Sequence, residues 1–167
     1  NLVILAIAWF RAWRILNLVG FVFTFIISFF WGYRYFTPEL FSSTEPFLVL
    51  FFLFYQGIAV LYALRRSTEK PDAIDGTLVF GTPIIAFGLQ SAMLSGSEYG
   101  LAWSALALAL FYGAAAAILR RRPGRHPQLL TEAYVALAVA FATLAVPLAF
   151  DARWTSAAWA LEGAALV

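Results

Sequence analysis

The chain has 167 residues, of which 63% are hydrophobic and only 12% charged, with a mean hydropathy of +0.83; a soluble domain is about 45–50% apolar and about 25% charged. This excludes a water-soluble globular domain and leaves an integral membrane protein, with room for about six or seven spans of about 20 residues. With no cysteine and a net charge of only +2, disulfides, thiolate metal sites and cysteine nucleophiles are excluded. The slight basic excess belongs to membrane-flanking arginines rather than to a nucleic-acid surface.

In chain order, Asn1 to Phe10 reads as the end of one apolar helix, closed by Arg11 and Arg14. A full run follows from Ile15 to about Tyr33, then a loop to Glu45, then a run from Pro46 to Leu64 with proline at the first helical position, where its missing N–H costs nothing. Arg65 to Gly76 is rich in charge and turn formers and reads as a loop. The next runs cover Thr77 to Leu94, Leu101 to Leu119 and Leu129 to Phe150, and a last one starts near Ser156. Arg120-Arg121-Arg122-Pro123-Gly124-Arg125 stops the run before it. Runs of bilayer length without strict alternation predict an all-α, polytopic transmembrane bundle rather than a barrel. Both ends lie inside apolar runs, so an internal piece of a longer polytopic protein is expected.

Nine of the eleven Lys and Arg fall on alternate joints, at residues 11–14, 65–76 and 120–128, leaving Arg34 and Arg153 opposite. The positive-inside rule predicts that the nine-residue side is cytoplasmic. Leu53-Phe54-Tyr55-Gln56-Gly57, running on to Arg65-Arg66, recurs as Leu110-Phe111-Tyr112-Gly113-Ala114, running on to Arg120-Arg121. That spacing predicts tandem parallel helical hairpins with a period of about 57 residues. Twelve of the seventeen Phe precede residue 60, which points to lipid-facing or groove-lining early helices. Gly113-x-x-x-Ala117 and Ala160-x-x-x-Ala164 point to tight packing among the later ones.

Polar groups inside the runs are the candidate site. Glu162 lies about seven residues into the last run, where a charge costs about 2.5–3.5 kcal/mol at the bilayer centre and requires a raised pKa, a hydrated cavity or a partner such as Arg153 or Arg34. Gln56 and Gln90 are mid-span amides, expected as interhelical glue or as part of a polar path. Pro83 and Pro147 are expected to kink or break their spans. Glu132 is read as a first-turn acid, and His126 as a solvated joint residue. The Arg120, Arg121, Arg122 and Arg125 cluster is a candidate contact for anionic lipid headgroups. One histidine and no cysteine predict no metal site and no cofactor. The expected partners are membrane lipids and the remaining helices of a longer chain or other membrane subunits, with no nucleic acid.

The stretch Asp75-Gly76-Thr77-Leu78-Val79-Phe80-Gly81-Thr82-Pro83 with Phe87-Gly88-Leu89-Gln90, together with Asp151-Ala152-Arg153-Trp154 running on to Trp159-Ala160-Leu161-Glu162-Gly163, resembles a large family of bacterial predicted membrane proteins of unknown function. Members are long, with many spans and Trp-x-x-Glu-Gly repeats. The resemblance implies a bacterial inner-membrane location and marks Trp159, Glu162 and Gly163 as a unit, without supplying an activity. Two functional readings follow. One is a non-catalytic envelope scaffold or lipid-handling component with a lateral groove by the Phe-rich helices. The other is a membrane-embedded enzyme or ion-coupled transporter using Glu162, with Arg153 or Arg34, in an outward-facing cavity.

Overall fold

A computed structural model describes residues 14–65, 73–97, 99–121 and 125–150, which form five long α-helices. They are α1 (Arg14–Tyr35), α2 (Phe41–Arg65), α3 (Ala73–Met93), α4 (Gly100–Leu119) and α5 (Arg125–Ala149), with a one-turn 3-10 helix at Pro38–Leu40 leading into α2. Each forms all or most of an apolar segment of 18 to 27 residues, the longest running from the 3-10 turn into α2, and each segment is long enough to cross a bilayer. No strand occurs among the described residues. A helix closes its own backbone hydrogen bonds, which lipid cannot do for it.

Consecutive helices run antiparallel, and side-chain bonds register this. Asn17, near the start of α1, bonds Tyr62, near the end of α2, and Thr24 shares a 3.0 Å hydrogen bond with Tyr55 further along the same pair. Gln56 reaches α3 at Val79 and Gln90 reaches back to Glu45, again in antiparallel register. Arg14, Arg65, Arg120 and Arg125 therefore gather at one end of the bundle. The connections around Pro38 and Ser97 lie at the other.

Packing follows side-chain size. The buried positions of α4, Ala102, Ala105, Ala109, Tyr112, Ala116 and Leu119, repeat at alternating spacings of three and four, the seam of a coiled-coil-like helix pair. Small residues along it let the backbones approach, and α4–α5 is the most extensive helix contact in the bundle. From α5 the seam receives Leu130, Tyr134, Leu137 and Phe141. Helix α2 is central. Tyr55, Ile58 and Tyr62 join Phe21, Phe25 and Leu78 on one side, while Phe52, Ala59 and Ala63 join the α4–α5 core on the other. Gly81 of α3 faces α1, and a Cβ there would sit in contact with the Phe21 ring at 3.4 Å.

Several expectations need correction. Helix α2 begins at Phe41, so Glu45 lies inside it and Pro46 is one turn deeper than a first-turn proline. Helices α3 and α5 run on through Pro83 and Pro147, so neither proline breaks its span. Glu132 is the eighth residue of α5 and exposed, and His126 lies in the first turn of that helix rather than in a joint. Gly113 and Ala117 lie off the seam: a Cβ on Gly113 would meet nothing within 4 Å, and Ala117 is exposed. The early phenylalanines divide, Phe21 and Phe25 being buried while Phe23, Phe29 and Phe30 are exposed.

Candidate functional site

Proline at position 83 has no N–H, so the Val79 carbonyl one turn back loses its intrahelical partner. Gln56 of α2 takes that place, with its Nε2 donating to the Val79 oxygen at 3.4 Å. On its other side the Oε1 of Gln56 accepts from the Tyr134 hydroxyl of α5 at 2.8 Å. Gln56 and Tyr134 are almost wholly buried. The amide therefore ties three helices together and repairs a proline defect, and it lines neither of the two cavities below. Beside it the Tyr112 hydroxyl is buried with no hydrogen-bond partner among the described residues, its ring packed on Tyr134 at 5.1 Å and parallel to Phe141 at 6.1 Å.

Gln90 sits in a different setting. About one turn from the end of α3, its Nε2 donates to Glu45 Oε1 at 2.8 Å and, more weakly, to Ser104 Oγ at 3.4 Å. The Ser104 hydroxyl in turn donates to the Gly100 carbonyl at 2.9 Å. At 1.5 Å per residue, Glu45, Gln90 and Ser104 lie at one level, about 5–6 Å inside the end of the bundle opposite the arginines. They line a cavity of about 250 Å³ between α2, α3 and α4, shared with Phe52, Phe87 and Phe111.

Across α2 lies a larger cleft of about 790 Å³ between α1, α2 and α3. Its lining is almost entirely apolar and includes Trp31, Phe36, Phe47 and Phe51. Gly32 of α1 and Gly88 of α3 create part of the space, since a Cβ on either would meet nothing within 4 Å. Leu48 lines both cavities, so they adjoin at one turn of α2.

Among the sequence candidates, Gln56 and Gln90 are thus separated, one in the core and one at a cavity. Arg120 and Arg121 are exposed at the end of α4 and Arg125 opens α5. Arg122, Arg153, Trp159 and Glu162 lie outside the described residues, as do residues 1–13. No cluster of three or more potential metal ligands occurs among the described residues. Sequence reasoning missed Glu45 and Ser104. The signal for Glu45 was Thr37-Pro38-Glu39, a helix-start pattern that places position 45 in the second turn of a span.

Five bilayer-length apolar helices, in antiparallel sequence and with their basic residues concentrated at one end, define a multi-pass α-helical membrane protein. Its residues 1–167 match the model of the family described as "Predicted membrane protein (DUF2339)", and the chain belongs to that family. No curated protein and no solved structure matches the chain.

Proposed function

We propose that this chain is a non-catalytic lipid-handling part of a bacterial inner-membrane protein, holding a lipid acyl chain in the cleft between α1, α2 and α3. The cleft is the observation that supports the reading. Its wall is apolar, it lies within spanning segments where lipid is the solvent, and its volume of about 790 Å³ is that of a ligand pocket rather than a packing defect. Polar groups elsewhere serve as interhelical bonds, as Gln56 and Asn17 do. The arginine-bearing end faces the cytoplasm by the charge bias of its joints, with Arg120 and Arg121 placed to meet anionic headgroups. The cleft then lies at the level of the outer leaflet.

Gly32 and Gly88 make the reading testable without disturbing the fold. Leucine at both positions fills the cleft, meets no clash at Cβ and raises helix propensity by close to 1 kcal/mol per site. Native mass spectrometry of the purified protein should show a phospholipid retained by the wild type and lost from Gly32→Leu/Gly88→Leu. Equal lipid retention by the filled variant would overturn the proposal.

A further inference from the structure

The polar end of the smaller cavity offers hydrogen-bond acceptors only. Gln90 has one amide nitrogen, and its donors go to Glu45 Oε1 and Ser104 Oγ. Ser104 has one hydroxyl hydrogen, and it goes to the Gly100 carbonyl. Every side-chain donor of the trio is therefore committed inside the protein. What remains are acceptors: the second oxygen of the Glu45 carboxylate and the Gln90 Oε1, neither of which receives a hydrogen bond from the described residues. Glu45 is also a half-buried acid inside an apolar span, Pro38–Leu64, with no basic side chain paired to it among the described residues. As the fifth residue of α2 it lies beyond the first turn, where the helix dipole stabilises an anion most.

A carboxylate in that position, with no cation beside it among the described residues, attracts a positively charged group, and the rest of the lining selects which kind. An anion is repelled by Glu45. A hard metal ion such as calcium needs six or more oxygen ligands, whereas this wall has three polar side chains and is otherwise aliphatic or aromatic. A primary ammonium matches all of it. It brings up to three N–H donors for the free oxygens and a charge for Glu45, and it is attracted to aromatic rings such as Phe52, Phe87 and Phe111. The cavity is about 250 Å³, enough for a small head and not for a whole lipid, and it adjoins the acyl-sized cleft at Leu48.

We propose that the cavity between α2, α3 and α4 is a site for a primary ammonium group, the amine of a phospholipid headgroup, with Glu45 as counter-ion and Gln90 and Ser104 fixing the carboxylate. The lipid as source rests on the acyl-cleft reading; the ammonium chemistry does not.

The test is native mass spectrometry of the detergent-purified chain, titrated with phosphatidylethanolamine, phosphatidylcholine and phosphatidylglycerol of matched chains. The wild type should bind the primary amine lipid about tenfold more tightly than the other two, the size of one charge-assisted hydrogen bond. Glu45→Gln, which keeps the side-chain shape, should bind all three about equally. A tenfold preference that survives Glu45→Gln, or a wild type that does not discriminate, would overturn the ammonium site. The wild-type comparison of amine with quaternary headgroup needs no variant, so a poorly folding Glu45→Gln leaves the proposal open to refutation. Failure of all three lipids to bind sinks the cleft reading instead. Free ethanolamine displacing the amine lipid at equal concentration would overturn the lipid source.

Discussion

Replacing Gln56 with leucine removes one side chain and strands two buried groups, the Tyr134 hydroxyl and the Val79 carbonyl freed by Pro83. Leaving a buried polar group unsatisfied costs about 1–3 kcal/mol, but interhelical hydrogen bonds measured in a membrane average about 0.6 kcal/mol, with a maximum of about 1.7. The two bonds of Gln56 differ in quality. The 2.8 Å bond from Tyr134 has good geometry and should lie near the upper value, whereas the 3.4 Å contact with Val79 is long and should lie near the average or below. Gln56→Leu is therefore expected to destabilise by about 1–3 kcal/mol in reversible unfolding by a denaturing detergent in mixed micelles. Double-mutant cycles separate the terms. With Tyr134→Phe the coupling should be about 1–1.7 kcal/mol. With Pro83→Ala, whose new N–H takes the Val79 carbonyl for its own helix, it should be about 0.6 kcal/mol or less. Simple additivity of Gln56→Leu and Tyr134→Phe would refute the proposed bridge, and a larger coupling to Pro83 than to Tyr134 would refute the ranking.

Tyr112→Phe should behave oppositely to Tyr134→Phe in the same unfolding assay, being neutral or up to about 1 kcal/mol stabilising, because the hydroxyl it removes is buried and has no partner among the described residues. A clear loss of stability would show that this hydroxyl has a partner. On α4, Ala105→Leu overpacks a fully buried seam position and should cost about 1–3 kcal/mol. Ile118→Ala on the exposed face should stay within about 0.5 kcal/mol; equal effects would place the seam on the wrong face. The absence of cysteine makes single-cysteine labelling direct. Ser95→Cys should react with an impermeant maleimide in intact cells and Arg121→Cys only after lysis, and labelling of both from outside would remove the orientation.

How much of this was legible in the sequence depended on what the bilayer dictates. Spans were readable because lipid demands a long unbroken apolar segment whatever its neighbours are. Helix faces were not, because a span wrapped in lipid on one side and protein on the other is apolar all round and loses the polar stripe that marks the outside of a soluble helix. Phe21 and Phe23 are chemically identical, yet one is 3% and the other 60% exposed. The Gly113-x-x-x-Ala117 spacing is a legitimate contact motif that here lies beside the true seam, where the buried rings of Tyr112, Tyr134 and Phe141 pack together. The start of α2 was misplaced because Pro46 was read as the first helical residue, although Thr37-Pro38 already provides an extended residue and a proline at a helical start.

The two mid-span glutamines show why a polar residue in an apolar run is ambiguous until its partners are counted. An amide has two donors and one oxygen with two lone pairs. Gln56 meets one acceptor and one donor, each on a different helix, and its remaining N–H and lone pair are buried inside the bundle, away from both cavities. Gln90 gives its donors to two acceptors, one of them a carboxylate that introduces a charge the trio cannot neutralise. The first arrangement is neutral and away from both cavities, and the second is short of donors and of positive charge. A residue pair that leaves such a deficit beside a cavity within a span costs stability unless something fills it, and this separates the candidate site at Glu45 from the structural bond at Gln56.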